Sequence, residues 1–158
     1  MKIAIGSDKS GFVLKEFLLA SFMNTDIKLT DLGTTDISAP KPYFEVASRI
    51  APLVASGEYE KAILICGTGM GMSIVANKHK GVYAAAVESV YGAKMCRSIN
   101  NANILCMGGW VIGPEMGLSM VKAFLNTEFL ADLEDWRKDF LKNAEKRVKA
   151  IEDRIYGD

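Results

Sequence analysis

Short apolar runs alternate with longer segments of helical periodicity along most of this 158-residue chain. The runs predict strands over 2–7, 27–33, 62–66, 82–87 and 103–108. The segments that follow them predict helices over 11–23, 43–57, 70–78, 89–100 and 113–126. Such alternation is typical of βαβ units, in which parallel strands form one sheet and helices cover both faces. We therefore expect an α/β protein, a Rossmann-like three-layer α/β/α sandwich with a five-stranded parallel sheet and an extended C-terminal helix.

The C-terminal segment 129–158 has a different pattern. Its apolar residues recur every three or four positions and charges fill the gaps, as the series Leu133, Trp136, Phe140, Ala144, Val148, Ile151 and Ile155 shows. This predicts one long amphipathic helix, longer than a five-stranded domain needs. We expect a Rossmann-like domain over 1–128 and a helical arm over 129–158. The arm either packs on its own domain or lies on a partner subunit.

Composition excludes several functional classes. Lys and Arg total 19 against 19 Asp and Glu, and this balance argues against nucleic-acid binding, which needs a basic surface. Apolar stretches are too short for a membrane span, and Asp8 comes too early for a signal peptide, so a cytoplasmic protein is expected. The spacing of the three cysteines and the one histidine is typical neither of a disulfide framework nor of a zinc site. These residues are Cys66, Cys96, Cys106 and His79. We expect no metal and no cofactor.

The segment "ILICGTGMGMS" (63–73) ends a strand on Cys66 and places Gly67, Gly69 and Gly71 immediately after it. A thiol there faces the unpaired N–H groups and positive end of the next helix, which favour a thiolate. The same N–H groups can hold an oxyanion or a phosphate. The spacing matches neither the dinucleotide fingerprint nor the P-loop. The simpler alternative is an inert buried cysteine before an ordinary turn.

Other polar groups follow neighbouring strands, and ligands of open α/β sheets bind beyond the carboxyl ends of the strands. Asp8 and Lys9 follow the first strand and could orient hydroxyls and hold a phosphate, or else cap a helix and face solvent. The segment "RSINNAN" (97–103) concentrates three amides and an arginine, or else forms a polar turn. We expect these groups to lie at corresponding strand ends and to form one site with Cys66.

Five segments together resemble a known family. They are "KIAIGSDKSGFVLKE", "LTDLGT", "VASGEYEKAILICGTGMGMSIVANKHKGVYAAAV", "NNANILCMGGWVIGPE" and "FLNTEF". In this order they resemble ribose-5-phosphate isomerase B and the galactose-6-phosphate isomerase subunits, nearly to residue 129. The resemblance implies a Rossmann-like fold and a homodimer or homotetramer with sites shared between subunits. It also implies metal-independent aldose–ketose isomerisation of a sugar phosphate.

The resemblance also implies roles for single residues. Cys66 corresponds to the base that takes a proton from the carbon beside a carbonyl, through a cis-enediol. Thr68 corresponds to the group that moves a proton between the two oxygens, and Asp8 to a carboxylate that contacts sugar hydroxyls. Substrate binding is implied for Lys9, Gly67, Gly69, Met70, Gly71, Ser73, Asn100 and Arg137. Of these, Arg137 corresponds to a phosphate-binding arginine that is reached from the neighbouring subunit.

Several positions depart from the family pattern. Lys9 replaces a histidine, Ile99 stands at the place of the histidine that opens the furanose ring, and Leu133 stands at the place of a C-terminal arginine. Trp110 stands where arginine is common. A branched alkyl group cannot transfer protons, and a tetrose phosphate cannot close a ring through its phosphorylated terminal oxygen. We therefore expect a substrate other than ribose 5-phosphate, with four-carbon or six-carbon sugar phosphates as the leading choices.

Other functions stay open beside an active isomerase. Ile99 and Leu133 replace a histidine and an arginine of the family pattern. Two alternatives therefore stay open, a non-catalytic or half-active subunit of a hetero-oligomeric isomerase and a sugar-phosphate-binding sensor. A nucleotide-dependent oxidoreductase is disfavoured, because "GSDKSG" (6–11) stands where the first strand should be followed by G-x-G-x-x-G.

Overall fold

A computed structural model describes residues 1–157 of the chain. The strands are β1 (Lys2–Ser7), β2 (Lys28–Asp31), β3 (Lys61–Cys66), β4 (Ala84–Ala86) and β5 (Ile104–Gly108). The helices are α1 (Phe12–Phe22), α2 (Tyr43–Ala55), α3 (Met70–Ala76), α4 (Val90–Ser98), α5 (Pro114–Asn126) and α6 (Asp135–Tyr156). Each predicted strand is present, with β2 and β4 shorter than expected, and each predicted helix is present as well.

The strands form one parallel sheet in the order β2-β1-β3-β5-β4. The order reverses between β1 and β3, because the chain first adds β2 on one side and then crosses to the other. Ser7 pairs with Ile65, and Cys66 pairs with Gly108, at the carboxyl ends of their strands. The segments that follow β1, β3 and β5 therefore emerge side by side at the switch point, where α/β sheets bind ligands.

Two cores lie on opposite faces of the sheet, which confirms the three-layer prediction. Ile63 and Ile65 of β3 pack against α1, α4 and α5, whereas Leu64 and Cys66 pack against α2 and α3. This division follows from the alternation of side chains along a strand. Because both faces are covered, β3 is buried along its whole length, as is usual for central parallel strands. The thiol of Cys66 therefore lies on the α2–α3 face.

The C-terminal segment differs from the prediction in its first residues. One continuous helix over 129–158 is wrong, because α6 begins only at Asp135. Leu130 and Asp132 have φ angles of 69° and 57°, a left-handed conformation that interrupts a right-handed helix. The hydroxyl of Ser98 donates to the carbonyl of Ala131 (2.6 Å) and fixes this turn against the end of α4. The predicted end of the helix at Asp158 lies outside the described residues.

Helix α6 packs on its own domain through polar side chains. Glu145 accepts a hydrogen bond from the amide of Asn101 (2.7 Å), and Glu152 accepts from the N–H of Gly81 (2.7 Å) and the hydroxyl of Tyr83 (3.0 Å). Burial, together with the Glu152 carboxylate, raises the pKa of Tyr83 to about 12. Besides Tyr156, whose hydroxyl donates to the carbonyl of Asn77, five apolar side chains of α6 remain exposed. We call them the α6 stripe: Trp136, Phe140, Val148, Ile151 and Ile155. No helix within residues 1–157 is long and apolar enough to cross a membrane.

Candidate active site

The thiol of Cys66 is held at the junction between β3 and α3. Its Sγ accepts a hydrogen bond from the N–H of Gly69 (3.2 Å), and the side chain is only 5% exposed. Gly69 has a φ of 79°, and a Cβ on it would lie 2.9 Å from the backbone of Met107. Only glycine meets both conditions without strain. The turn thus directs a main-chain donor at the sulfur, an arrangement that stabilises negative charge there.

The first turn of α3 supplies further main-chain donors beside this thiol. The hydroxyl of Thr68 accepts from the N–H of Met70 (3.4 Å). The N–H groups of Gly71 and Met72 have no acceptor within the helix, because they lie in its first turn. Gly71 also lies against the ring of Tyr43, to which a Cβ would approach within 2.8 Å. These donors can stabilise an oxyanion beyond the end of β3.

Asp8 follows β1 and forms a hydrogen bond to the end of β3, the strand that carries Cys66. Its N–H donates to the carbonyl of Ile65 (3.2 Å), the residue before Cys66. Its Oδ1 accepts from the N–H groups of Ser10 (2.9 Å) and Gly11 (3.0 Å) at the start of α1. These bonds order the turn that leads into α1, but the capping interpretation is not confirmed, because the cap residue of α1 is Gly11 and no side chain caps it. The half-buried carboxylate also belongs to the carboxyl edge of the sheet, as the sequence predicted.

Trp110 forms one wall of the turn between β3 and α3, which contains Gly67, Gly69 and Gly71 and which we call the glycine turn. Its N–H donates to the carbonyl of Gly67 (3.0 Å), and the N–H of Gly109 donates to the carbonyl of Cys66 (2.7 Å). The indole packs on Gly67, where a Cβ would lie 2.7 Å from the ring, yet the residue remains 75% exposed. The segment after β5 therefore fixes the position of the turn and also presents a large aromatic surface beside it.

A small cavity opens beside Asp8. Its volume is about 210 Å³, and its lining comprises Asp8, Lys9, Pro40, Lys41 and Pro42. Sequence reasoning missed the loop residues of this group, because nothing in the polar segment 34–42 marks it as part of a site. The one available signal was that the loop follows β2 and so begins at the carboxyl edge of the sheet.

The prediction that segment 97–103 shares an edge with Cys66 is wrong within one chain. The N–H of Ala62 donates to the carbonyl of Asn103 (3.0 Å), so the segment lies at the amino edge. A helix that crosses back over a parallel sheet delivers the chain to that edge. Arg97 has a structural role there, since it is buried and donates to the carbonyls of Thr127 (3.2 Å) and Ala102 (2.7 Å).

Asn100 lies with this segment and not with the thiol. A cavity of about 330 Å³ is lined by Ile99, Asn100 and residues of α6, and Arg137 is in the first turn of α6. Cys66 lies five residues along β3 from the amino end of that strand, which is about 16 Å at ~3.3 Å per residue. Within a single chain, Asn100 therefore does not contact the glycine turn.

Two other predicted binding residues face different surroundings. The hydroxyl of Ser73 donates to the carbonyl of Ala84 (3.0 Å) and so ties α3 to β4. Met70, at the start of α3, is exposed. The other predicted residues, namely Asp8, Lys9, Gly67, Thr68, Gly69 and Gly71, surround the carboxyl edge of the sheet near Cys66.

The remaining cysteines have surroundings of another kind. Burial raises the pKa of Cys96 to about 11 and also raises the pKa of Cys106, which is fully buried. Cys96 donates to a carbonyl in its own helix. Both are therefore neutral thiols at physiological pH. Among residues 1–157, no three His, Cys, Asp or Glu side chains converge as metal ligands.

Comparisons with known proteins find relatives that match most of the chain. A family model described as Ribose/Galactose Isomerase matches residues 3–141. The chain is 56% identical to the 4-deoxy-4-sulfo-D-erythrose isomerase of Clostridium sp. (strain MSTE9), over 99% of this chain and 98% of the relative. It is 40% identical to D-erythrulose-4-phosphate isomerase 2 of Mycolicibacterium smegmatis, over 82% and 86% of the two chains. The type B ribose 5-phosphate isomerase structure from Trypanosoma cruzi superposes with a TM-score of 0.84 at 34% identity, covering 96% of this chain and 98% of the other.

Proposed function

The chain belongs to the ribose/galactose isomerase family, and from this premise we propose that it interconverts the aldose and ketose forms of a four-carbon sugar with an anionic group on C4. Membership makes it an isomerase of the sugar-phosphate type. The length of the sugar and the nature of its anion are the proposal. Relatives named for 4-deoxy-4-sulfo-D-erythrose and for D-erythrulose 4-phosphate support a four-carbon substrate.

Ile99 is the observation that carries the proposal. It lies beside Asn100 in the cavity under α6 and offers no group that can transfer a proton. Ring opening of a furanose needs such a group at the ring oxygen. A tetrose with a phosphate on O4 has no free hydroxyl there to close a ring. A 4-deoxy-4-sulfo tetrose has a carbon–sulfur bond at that position and no oxygen on C4. Both sugars stay in the open-chain form, so their isomerisation needs no ring-opening acid at the position of Ile99.

Cys66 serves as the base in the proposed reaction. Its thiolate takes the proton from C2 of the aldose, and the electron pair forms the cis-enediolate across C1 and C2. The N–H groups of Gly71 and Met72 stabilise the negative oxygen as it develops. Thr68 passes the proton of the C2 hydroxyl to the C1 oxygen. The Cys66 thiol then returns its proton to C1, which yields the ketose and restores the thiolate.

The charge of the site favours sulfonate over phosphate. Leu133 and Trp110 are uncharged at positions where the family resemblance predicts arginine, so Lys9 and Arg137 remain as the predicted cations. A sulfonate carries a single negative charge, whereas a phosphate monoester carries about −1.5 to −2 at pH 7. Fewer cations suit the smaller charge. We therefore place 4-deoxy-4-sulfo-erythrose first and erythrose 4-phosphate second.

The proposed enzyme is a homodimer, or a homotetramer built from two such dimers, with shared sites. Asn100 is at the amino edge of the sheet, while Cys66 is at the carboxyl edge, and Arg137 is in the first turn of α6. Only a second copy can bring Asn100 and Cys66 together, and a two-fold axis would then complete two identical sites. The exposed α6 stripe supports this arrangement, because a monomer in water gains nothing from a row of uncovered apolar side chains.

A substrate panel tests the proposed function. The purified protein alone is assayed by NMR against 4-deoxy-4-sulfo-D-erythrose, D-erythrose 4-phosphate, D-ribose 5-phosphate and D-galactose 6-phosphate. We expect kcat/KM to be highest for the sulfonate and at least about 100-fold lower for the two ring-forming sugars, because the site lacks a ring-opening acid. A maximum on ribose 5-phosphate would contradict the proposal. So would binding without turnover, or turnover only after a paralogous subunit is added.

A further inference from the structure

Two lysines from distant parts of the chain line one small cavity at the carboxyl edge of the sheet. The cavity of about 210 Å³ takes Asp8 and Lys9 from the segment after β1, and Pro40, Lys41 and Pro42 from the loop before α2. Its size suits the head group of a ligand better than a whole ligand, since small-molecule sites are usually ~300–1,000 Å³. We call it the Lys9–Lys41 pocket.

Lys41 is held in place before any ligand arrives. Its N–H donates to Oγ1 of Thr34 (3.0 Å), and its Nζ donates to the carbonyl of Gly33 (3.2 Å). Prolines on both sides restrict the backbone, because their φ angles are fixed. An ammonium group has three donors, so two remain beyond the bond to Gly33. A cation fixed in this way loses little conformational entropy on binding an anion.

The charge balance of the pocket favours an anion. Asp8 is its only lining carboxylate, and Oδ1 of that group already accepts from the N–H groups of Ser10 and Gly11. Two ammonium groups, on Lys9 and Lys41, therefore face one partly satisfied carboxylate. The sequence pattern predicts only Lys9 at this place, so Lys41 adds a second positive charge there.

The pocket adjoins the glycine turn on two sides. Asp8 donates its N–H to Ile65, the residue before Cys66. Tyr43 follows Lys41 by two residues, and its ring lies against Gly71 in the first turn of α3. The Lys9–Lys41 pocket and the thiol are thus carried by adjoining segments, and this adjacency is the basis for assigning the far end of a four-carbon substrate to the two lysines.

We propose that Lys41 is a substrate-binding residue that holds, together with Lys9, the anionic group on C4 of the substrate. The assignment rests on the proposed function for the identity of that group. Lys41 supplies from within the chain one of the two positive charges that are missing at Leu133 and Trp110, so the site still has fewer cations than those two positions would have provided. It selects anionic tetroses over uncharged ones and takes no part in proton transfer.

The kinetic test compares two sugars that differ only in the anion, 4-deoxy-4-sulfo-D-erythrose and 4-deoxy-D-erythrose. For Lys41→Gln we expect kcat/KM on the sulfonate to fall about 10- to 100-fold through KM, as for a lost charged hydrogen bond. The value for the uncharged sugar stays the same. Lys41→Arg restores the charge and most of the activity. Lys28→Gln is the matched control, because Nζ of Lys28 also donates to a backbone carbonyl but at the other end of β2.

A binding experiment tests the role of Lys41 independently of the proposed function. Calorimetry with 4-hydroxybutane-1-sulfonate, an unreactive four-carbon sulfonate, needs no turnover, so it decides the role of Lys41 even if the wild-type protein isomerises neither sugar. We expect Lys41→Gln to weaken this binding at least about 10-fold and Lys28→Gln to leave it unchanged. Equal binding by Lys41→Gln and wild type would overturn the inference, as would an equal loss of kcat/KM on both sugars. If Lys41→Gln fails to fold by circular dichroism, Lys41→Met replaces it.

Discussion

The Sγ of Cys66 accepts a 3.2 Å hydrogen bond from the N–H of Gly69, the residue that caps α3. Cys96 instead donates its thiol proton to a carbonyl in its own helix, and Cys106 is enclosed in the core. A main-chain donor stabilises a thiolate, whereas a carbonyl acceptor stabilises a thiol. The three cysteines are similarly buried, so their different hydrogen-bond partners, and the helix terminus that faces Cys66, are the basis for expecting different reactivity.

Alkylation should distinguish these cysteines. We expect iodoacetamide at pH 8 to modify Cys66 first, because burial raises the pKa of Cys96 to about 11 and also raises that of Cys106, and only thiolates react. Labelling of Cys96 should increase as the pH approaches 11. Peptide mass spectrometry gives the order of modification, and 4-deoxy-4-sulfo-D-erythrose should protect Cys66. Modification of Cys96 before Cys66 at pH 8 would be inconsistent with the proposed thiolate.

Gly69→Ala should damage both stability and activity. The φ of 79° and the approach of a Cβ to 2.9 Å from Met107 together predict a loss of about 2–5 kcal/mol in the free energy of unfolding. Gly57→Ala is the control, because Gly57 has nearly the same φ, 77°, but nothing within 4 Å of a Cβ. It should cost about 1–2 kcal/mol. Urea unfolding measures both variants, and equal losses would show that close packing at Gly69 is unimportant.

Mixing two inactive variants tests the shared site. We expect Cys66→Ala and Arg137→Ala to be inactive alone and to recover about one quarter of wild-type activity after unfolding and refolding together. Half of randomly formed dimers are hybrids, and each hybrid has one intact site of two. The control is Cys66→Ala mixed with Thr68→Ala, which lie on the same turn and cannot complement. A mixture as inactive as this control would exclude a shared site.

Ile99→His tests the argument from ring opening. The substitution should raise kcat/KM on ribose 5-phosphate by about 10-fold or more, because it introduces a group that can protonate the ring oxygen. It should not raise kcat/KM on 4-deoxy-4-sulfo-D-erythrose, which has no ring to open. Ile99→Asn, polar but not ionisable near pH 7, is the control. High activity of the wild type on ribose 5-phosphate that Ile99→His leaves unaltered would refute the argument.

The fold could be predicted because a parallel sheet covered on both faces has continuous apolar strands. Residues 62–66 are wholly apolar and glycine follows at once, so both the strand and its end were evident. The thiol turn was predicted for the same reason, since strand, cysteine and glycines are adjacent in the chain.

Other parts depend on relations that adjacency in the chain does not reveal. The left-handed backbone of Leu130 and Asp132 prevents a helix there, so α6 begins later in the chain than predicted. The regular spacing of apolar residues does not reveal this interruption. Lys41 and Lys9 line the same cavity because the loop after β2 lies beside the segment that follows β1. Asn100 was expected beside Cys66, but the direction of α4 places it at the opposite edge. Contacts made across the sheet are set by topology, and a local pattern carries little information about them.

The most direct measurement concerns Cys66 itself. Wild type, Cys66→Ala and Cys66→Ser are incubated with 4-deoxy-4-sulfo-D-erythrose in D2O, and carbon-bound deuterium is followed by NMR while calorimetry measures substrate binding. We predict that wild type exchanges solvent deuterium into the sugar, and that Cys66→Ala binds the sugar but exchanges at least about 100- to 10,000-fold more slowly, the usual contribution of a general base. Exchange by Cys66→Ala at nearly the wild-type rate would show that another group removes the proton.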